Sequence, residues 1–232
     1  MQVYSQKTGQ LEALLMDNGI LTELRTAAVG ALTTKLLGPK NIERIGMVGT
    51  SVQARFQLEY LAHVTNCKNV LVWGRTPSKV DAYVSEMTEK GWKVEEAESP
   101  DDLLVKCDVI VTTTCSREAV LGKASLEINK KGLLINCIGA DAPGKYELNP
   151  ALVAKADLLV ADTSEQSVER GEFQKAVADG LARPDSILSL GKLIEQKDMH
   201  RKDDDNRLII FDSSGVALQD CVVSSLVLEK LL

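Results

Sequence analysis

A glycine turn follows a short apolar segment in the first quarter of the chain. Residues 45–48 lead into Gly49-Thr-Ser-Val-Gln-Ala54 and then into a helix-like pattern. A strand that turns directly into a helix points backbone N–H groups and the positive end of the helix dipole at one spot, which favours a phosphate. Dinucleotide-binding turns read G-x-G-x-x-G/A, so Gly49 and Ala54 fit, and Ser51 replaces the middle glycine. The turn predicts a pyrophosphate site at Gly49 and Ser51, where the serine hydroxyl also caps the helix. The alternative is an ordinary strand–turn–helix of another α/β protein.

The next apolar segment, Asn69-Val-Leu-Val-Trp73, ends in a basic sequence. In dinucleotide-binding folds an acidic residue at this place accepts hydrogen bonds from the ribose 2′-OH. Here Gly74 occupies that place and Arg75 follows it. A guanidinium binds a 2′-phosphate well, whereas a carboxylate would repel it. The pattern favours NADP(H) as the preferred cofactor, with NAD(H) as the second option. The alternative is that Arg75 is a solvated turn residue.

Two further segments carry polar groups directly after apolar strands. Thr112-Thr-Thr-Cys-Ser116 follows one strand, and the glycine- and proline-containing loop around Asp141 follows the next. The carboxyl ends of parallel strands meet at one edge of the sheet, where ligands bind in such folds. Near a nicotinamide, Asp141 is placed to pass a proton to or from an amine or imine. The alternative is an aspartate that only caps its loop.

The elements that position these residues alternate regularly from residue 41 onward. Strands are predicted near 43–48, 69–73, 108–112, 133–138 and 157–161, and helices near 52–65, 77–90, 100–106, 147–154 and 165–180. Continuous apolar strands that alternate with helices are typical of a doubly wound parallel sheet. The predicted fold is therefore α/β with a Rossmann-type sheet.

The two ends of the chain fall outside this alternation. A strand is predicted at 11–16, a helix capped by Thr22 that runs to Leu37, a strand at 208–211 and a closing helix to Leu232. We therefore predict an NAD(P)-binding domain over 39–206. The ends, 1–38 and 207–232, are predicted to form a partial lobe for substrate binding and dimerisation. Because these pieces are small for an independent core, we expect a homodimer or further residues to complete the lobe.

Composition limits the classes of partner. The chain has 232 residues and a net charge of −6 with no basic patch, which argues against nucleic acid and anionic membranes. No apolar run approaches the roughly 20 residues that span a bilayer. Five scattered cysteines and no signal-peptide pattern favour a reducing, cytoplasmic location. With two histidines and no Cys-x-x-Cys, no metal site is expected.

Six segments together match one known family in the order in which they occur. They are Leu21-Thr-Glu-Leu-Arg-Thr-Ala-Ala28, Gly49-Thr-Ser-Val-Gln-Ala54, Val72-Trp-Gly-Arg-Thr-Pro77, Thr112-Thr-Thr-Cys-Ser-Arg-Glu118, Gly139-Ala-Asp-Ala-Pro-Gly-Lys-Tyr-Glu-Leu148 and Phe211-Asp-Ser-Ser-Gly-Val-Ala-Leu-Gln-Asp220. With them the chain resembles the ornithine cyclodeaminase/μ-crystallin family over nearly its whole length. The resemblance implies a Rossmann fold, a nicotinamide cofactor and a small amino or imino acid substrate.

The resemblance also implies roles for individual residues. Two are implied to be catalytic: Arg25, which grips the substrate carboxylate, and Asp141, which donates and accepts the proton. The residues that are expected to contact the cofactor are Thr26, Val52 and Gln53 (pyrophosphate turn), Arg75 and Thr76 (ribose phosphate), Thr113, Thr114, Ile138, Lys145, and Ser213 with Ser214 beside the nicotinamide.

Three functions remain open on this basis. The first is an NADP(H)-dependent reductase of imines, cyclic ketimines or imino acids, and the absence of an acid at position 74 favours it. The second is an ornithine cyclodeaminase that recycles tightly bound NAD while ornithine becomes proline and ammonia. The third is an NADP-dependent ligand-binding protein with low turnover. Family members usually carry a longer N-terminal portion that supplies a second arginine and a lysine. Residues 1–20 do not replace it, so the resemblance implies either a shortened sequence or a natural variant with a reduced substrate site.

Overall fold

A central sheet of eight parallel strands organises the protein, whose computed structural model describes residues 1–203 and 205–231. The strands are β1 (Gln2–Tyr4), β2 (Leu11–Leu14), β3 (Ile45–Val48), β4 (Asn69–Trp73), β5 (Lys93–Glu96), β6 (Val109–Thr112), β7 (Leu133–Cys137), β8 (Leu158–Ala161), β9 (Ile187–Ser189) and β10 (Leu208–Asp212). The helices are α1 (Ile20–Leu37), α2 (Val52–Leu61), α3 (Pro77–Glu89), α4 (Asp101–Lys106), α5 (Pro150–Ala154), α6 (Ser164–Arg170), α7 (Gln174–Ala178), α8 (Leu190–Glu195) and α9 (Ala217–Leu231). Short 3-10 turns lie at Pro184–Ser186 and Lys197–Met199.

The strand order of the central sheet is β5-β4-β3-β6-β7-β10-β8-β9, and every neighbouring pair is parallel. The chain runs outward from β3 to β5 and then returns to place β6 on the other side of β3. A crevice opens at the carboxyl ends of the strands where the order reverses in this way. The predicted α/β class with a Rossmann-type parallel sheet is confirmed.

The sheet is apolar on both faces because helices cover both. In β10, Ile209 and Phe211 pack into one hydrophobic cluster, whereas Leu208 and Ile210 pack into the other. This alternation follows from side chains that point to opposite faces of a strand. It explains why the strands read as continuous apolar runs in the sequence.

The assignment of residues 207–232 to a separate lobe is wrong for β10. This strand lies inside the central sheet, with Ile210 paired to Ile135 of β7 and Leu159 of β8. All five of its residues are buried, and a strand of that kind needs a hydrogen-bonding partner on each side and a packed layer on each face. The rest of the division into a nucleotide domain and a second lobe stays a prediction. Leu232, the last residue of the predicted segment 207–232, lies outside the described residues.

Several local features differ from the predicted elements. The helix predicted at 165–180 is two helices, because α6 ends at Arg170 before Gly171 and α7 begins at Gln174. A Cβ at Gly171 would come within 2.0 Å of Asp212 Oδ2, so only glycine fits there. Helix α1 begins at Ile20 without a cap by Thr22; Asp17 Oδ2 instead accepts a hydrogen bond from Leu21 N at 3.1 Å. The edge strands β5 and β9 were not predicted.

Helix α1 packs on α2 and on the sheet through polar contacts. Gly30 lets α2 approach closely, because a Cβ there would lie 2.0 Å from Gln57 Oε1. On the sheet side, Asn136 of β7 donates to Thr34 Oγ1 at 2.9 Å, and the Thr33 hydroxyl donates to Asn136 Oδ1 at 3.2 Å. These buried contacts attach the carboxyl-terminal half of α1 to α2 and to β7. Among the described residues, no helix is both long and apolar enough to cross a bilayer.

Candidate functional site

Two adjoining cavities open at the carboxyl edge of the sheet. The inner cavity, of about 280 Å³, is lined by Thr22, Glu23, Arg25, Thr26, Gln53, Thr113, Thr114, Cys115, Ile138, Gly139, Asp141, Ser213, Ser214 and Gly215. The outer groove, of about 460 Å³, is lined by Gly49, Thr50, Ser51, Trp73, Gly74, Arg75, Thr76, Lys79, Pro100, Thr113, Thr114, Cys115, Ser116, Glu118, Ala119, Val120 and Lys123. Residues 113–115 line both, so the two spaces adjoin at these residues.

The glycine turn forms one end of the outer groove. Gly49 has φ +105°, and a Cβ there would lie 2.8 Å from Thr113 Oγ1, so a side chain would fill the space beside the turn. Ser51 caps α2, since its Oγ accepts a hydrogen bond from Ala54 N at 3.2 Å; this part of the turn prediction is confirmed. The turn thus offers the start of a ten-residue helix to the groove, the arrangement that suits a phosphate.

The other predicted turn residues occupy different places. Val52 is 57% exposed and is not among the residues that line the inner cavity or the outer groove. Gln53 lines the inner cavity, where its Nε2 donates to the carboxylate of Glu23 on α1. Gln57 donates in turn to Gln53 Oε1 at 2.9 Å and to Thr26 O at 3.1 Å. This chain of amides joins α2 to the wall of the inner cavity formed by α1.

Cationic side chains lie at the end of the outer groove that β4 forms. Arg75 and Lys79 are exposed and line the groove beside Gly74 and Thr76. A Cβ at Gly74 would lie 2.9 Å from Val80 Cγ2, so the backbone is closely covered there. Arg75 and Thr76, the predicted ribose-phosphate residues, thus line the same groove with exposed side chains.

The two residues with implied catalytic roles line the same inner cavity. The guanidinium of Arg25 is held by α9: its Nε lies 3.2 Å from Asp220 Oδ1, and its Nη1 donates to Gln219 Oε1 at 2.9 Å. The Asp141 side chain is 59% exposed and forms an ion pair with Lys145 at 2.7 Å. Lys145 is not among the residues that line the inner cavity, so it reaches the site through Asp141.

Backbone hydrogen bonds place the remaining predicted residues. Beyond the ends of the strands, Thr113 N donates to Val48 O, Ile138 N to Thr112 O, and Ser213 N to Cys137 O, each at 2.9 Å. These bonds extend the ladder of the sheet by one residue into the inner cavity. Thr26, also at the cavity, turns its hydroxyl into its own helix and donates to Thr22 O at 2.7 Å.

Sequence reasoning missed a group of buried carboxylates beneath the site. Glu147 accepts hydrogen bonds from the Thr112 hydroxyl and from Thr114 N, both at 2.6 Å, and from Gly139 N at 3.0 Å. Glu172 accepts from the backbone N–H groups of Glu147 and Leu148. Burial raises the pKa of both glutamates, and the charge of Glu147 raises the pKa of Glu172 further. Glu147 was predicted to start a helix and Glu172 to lie inside one, so no pattern indicated their burial.

Two aspartates extend this group toward α9. Burial raises the pKa of Asp212 to about 7, against a hydrogen bond from the Ser167 hydroxyl that lowers it. Asp162 accepts from the Ser213 hydroxyl at 3.2 Å and from Gly215 N at 2.9 Å, and burial raises its pKa also. Within residues 1–203 and 205–231, no three His, Cys, Asp or Glu side chains form a group that could hold a metal ion.

Comparisons with known proteins find relatives along the whole chain. The sequence profile of the Ornithine cyclodeaminase/mu-crystallin family matches residues 1–232. The iminosuccinate reductase of Paracoccus denitrificans is 37% identical over 227 residues, which make up 98% of this chain and 68% of that protein. Its crystal structure, in complex with NAD+, matches at TM-score 0.84 and 35% identity over 98% of this chain and 68% of that chain.

Two further solved structures resemble the chain as closely. A lysine cyclodeaminase, described for its recognition of L-lysine, L-ornithine and L-2,4-diamino butyric acid, matches at TM-score 0.87 and 32% identity over 98% of this chain and 64% of that chain. The Delta(1)-pyrroline-2-carboxylate reductase of Thermococcus litoralis, in complex with NADH and L-proline, matches at TM-score 0.86 and 28% identity over 99% of this chain and 70% of that chain. The chain spans about two thirds of the length of these relatives.

Proposed function

The chain belongs to the ornithine cyclodeaminase/mu-crystallin family, as its six sequence segments predicted, and from that membership we propose that it is an NADP(H)-dependent reductase of imines or imino acids. The three relatives described above are two reductases and a cyclodeaminase, enzymes that act on C–N bonds. The single observation that carries the proposal is that the two cavities adjoin at residues 113–115. Arg25 and Asp141 line one cavity, and the glycine-turn groove lies next to it.

The outer groove supplies the cofactor end of the proposal. Ser51 would hold the pyrophosphate with its backbone N–H group at the start of α2. Gly49, whose own N–H donates to Trp73 O at 2.8 Å, would leave the space for the phosphate because it has no side chain. Arg75 and Lys79 would hold a 2′-phosphate, for which the exposed guanidinium and ammonium are suited. Relatives of known structure bind NAD+ or NADH, so the preference for NADP(H) depends on Gly74 and Arg75 of this chain.

The inner cavity supplies the substrate end. Arg25 has five N–H donors, and its bonds to α9 fix the direction of the guanidinium while leaving others to meet a substrate carboxylate. Asp141 is exposed to the cavity and would deliver a proton to the nitrogen of a C=N bond or remove it from an amine. A reduced nicotinamide, when bound, supplies the hydride that the carbon takes up.

Fluorescence titration of the purified chain with NADPH and, separately, NADH tests the cofactor part. Tighter binding of NADPH is expected, and it would support the assignment of Arg75. Equal binding would remove the NADP(H) preference but keep a nicotinamide enzyme. Binding of neither would overturn the proposed function.

The reaction is tested with two substrates in parallel. With Delta(1)-pyrroline-2-carboxylate and NADPH, loss of absorbance at the nicotinamide band together with amino acid formation is the expected result. With L-ornithine, release of ammonia without net change in the nicotinamide would instead indicate a cyclodeaminase, in line with the lysine cyclodeaminase among the relatives. Tight binding of a small molecule without any turnover would indicate a ligand-binding protein.

A further inference from the structure

The carboxylate of Glu147 connects the two loops that carry the site. Its Oε1 accepts a hydrogen bond from Thr114 N at 2.6 Å, and its Oε2 accepts from the Thr112 hydroxyl at 2.6 Å and Gly139 N at 3.0 Å. Thr112 is the last residue of β6, Thr114 lies two residues beyond it, and Gly139 belongs to the loop after β7. One buried side chain thus bonds the carboxyl ends of two neighbouring strands to each other.

The two loops lie against each other at this point. A Cβ at Gly139 would come within 1.9 Å of Thr114 O and 2.6 Å of Glu147 Oε2, so the backbones are in contact with no room for a side chain. Behind Glu147, the carboxylate of Glu172 accepts the N–H of Glu147 itself at 2.9 Å and that of Leu148 at 2.7 Å. The glutamate that joins the loops is therefore held in place from the opposite side.

The two joined loops carry the residues whose relative positions matter for the reaction. Residues 113–115 line both cavities, whereas Asp141, two residues beyond Gly139, lines the inner cavity. Since the three donors to Glu147 are neutral, the carboxylate acts on the loops through directional hydrogen bonds, and a fully buried carboxylate holds such bonds firmly.

We propose that Glu147 is a positioning residue, which sets the distance between the shared wall at residues 113–115 and the proton-transferring group Asp141. This inference rests on the proposed function, because it assigns Asp141 the role given there. Glu147 does not line either cavity, so it acts on the reaction only through Thr114 and Gly139. Small displacements of a reacting group lower turnover steeply, and a shift of about 1 Å costs on the order of 100-fold.

Glu147→Gln is the variant that tests this role. The amide oxygen still accepts from Thr114 N and the amide nitrogen donates to the Thr112 hydroxyl, but Gly139 N then faces a donor. Asp108→Asn is the matched control. Asp108 lies at the amino end of β6, is buried, and also accepts three hydrogen bonds, from Glu43 N, Arg44 N and Asn129 Nδ2.

We expect the two variants to lose a comparable amount of melting temperature but to differ in kcat and in amide hydrogen exchange. Glu147→Gln lowers kcat by about 10- to 100-fold, with KM and the NADPH dissociation constant within about threefold of the wild type. Amide hydrogen exchange speeds up in peptides that cover 112–116 and 138–142. Asp108→Asn keeps kcat within about twofold and leaves exchange in these two peptides unchanged. Loss of kcat in both variants in proportion to their melting temperatures would show a structural role only and would overturn the proposal.

Two additions keep the proposal testable under other outcomes. If Glu147→Gln does not fold, Thr112→Val removes one donor without changing shape; it is expected to lower kcat by about three- to tenfold, and an unchanged kcat overturns the proposal. If the wild type has no reductase activity, the proposed function fails separately. Amide hydrogen exchange then tests the structural part of the proposal. If exchange in residues 138–142 is the same in Glu147→Gln as in the wild type, Glu147 does not couple the two loops and the proposal is overturned.

Discussion

At the scale of single residues, the proposed function assigns to Arg75 the choice between the two nicotinamide nucleotides. Arg75→Ala is expected to weaken NADPH binding by about 10- to 100-fold and NADH binding by less than about threefold, because only NADPH carries the 2′-phosphate. Fluorescence titration with both nucleotides measures this difference. Arg183→Ala, which removes an exposed arginine that pairs with Asp185, serves as the control and should change neither affinity. An equal loss for both nucleotides would remove Arg75 from the phosphate site.

In the proposed reaction, Asp141 is the residue that transfers the proton in the inner cavity. Asp141→Asn keeps the shape of the side chain but removes the proton-transferring group, so kcat should fall by about 100- to 10,000-fold while NADPH affinity stays. Asp179→Asn is the matched control, since Asp179 also pairs with a lysine four residues away on an exposed surface. Steady-state kinetics with a cyclic imine compares the two variants. Full activity of Asp141→Asn would exclude it from the mechanism.

The sequence located the residues at the ends of strands better than those that support them. Thr113 and Ile138 could be placed in the site because the apolar runs show where β6 and β7 end and because parallel strands share one carboxyl edge. Glu147 and Glu172 could not be placed, because their partners are distant in the chain and an acidic residue normally indicates a solvated surface. The role of Val52 stays a prediction, because the family resemblance assigns the pyrophosphate contact to its backbone and the exposed direction of its side chain does not test that.

At the scale of elements, the contact between α1 and α2 holds Arg25 and Thr26 of α1 at the wall of the inner cavity. Gly30→Ala would force the Gln57 side chain to move, since the added Cβ lies 2.0 Å from its Oε1. The expected cost is about 1–3 kcal/mol of unfolding free energy, together with weaker nucleotide binding as Gln57 loses its bond to Thr26 O. Urea unfolding and NADPH titration measure the two effects.

Gly191→Ala in α8 is the control for this prediction. No atom lies within 4 Å of its added Cβ, so the variant should keep or gain up to about 1 kcal/mol of stability through helix propensity. Equal stability of the two variants would show that α1 and α2 can separate without cost.

Periodicity predicted most of the sheet because its strands are apolar on both faces. It did not predict the place of β10, since order along the chain does not reveal which two strands a late strand joins. The edge strand β5 could not be predicted, because Lys93–Glu96 is polar and mostly exposed. Such a pattern is typical of a sheet edge and equally of a loop.

At the scale of the whole molecule, the buried carboxylates make stability depend on pH. The pKa of Asp212 is about 7 in the folded protein against 3.8 in its ordinary state, so the folded protein keeps a proton that the unfolded chain has lost between these values. The unfolding free energy therefore falls as pH rises from about 4 to about 7. The raised pKa values of Glu147, Glu172 and Asp162 act in the same direction.

Urea unfolding at pH 5 and pH 8 tests this dependence. The wild type is expected to be less stable at pH 8, and Asp212→Asn should lose less stability between the two values, because an amide does not titrate. The comparison cancels the contribution of groups common to both proteins. A variant with the same difference between pH 5 and pH 8 as the wild type would show that Asp212 does not titrate in this range.

The central position of β10 sets the order in which the protein can be assembled during synthesis. Residues 208–212 emerge from the ribosome after every other strand of the sheet, yet they join β7 to β8. Until they arrive, the nascent chain can form only two separate pieces, β5-β4-β3-β6-β7 and β8-β9, each with an open edge. Long-range pairing of this kind is slow and leaves edges exposed to aggregation. The nascent protein therefore cannot close its sheet or complete the inner cavity, to which Ser213 belongs, before residues 208–213 have been synthesised.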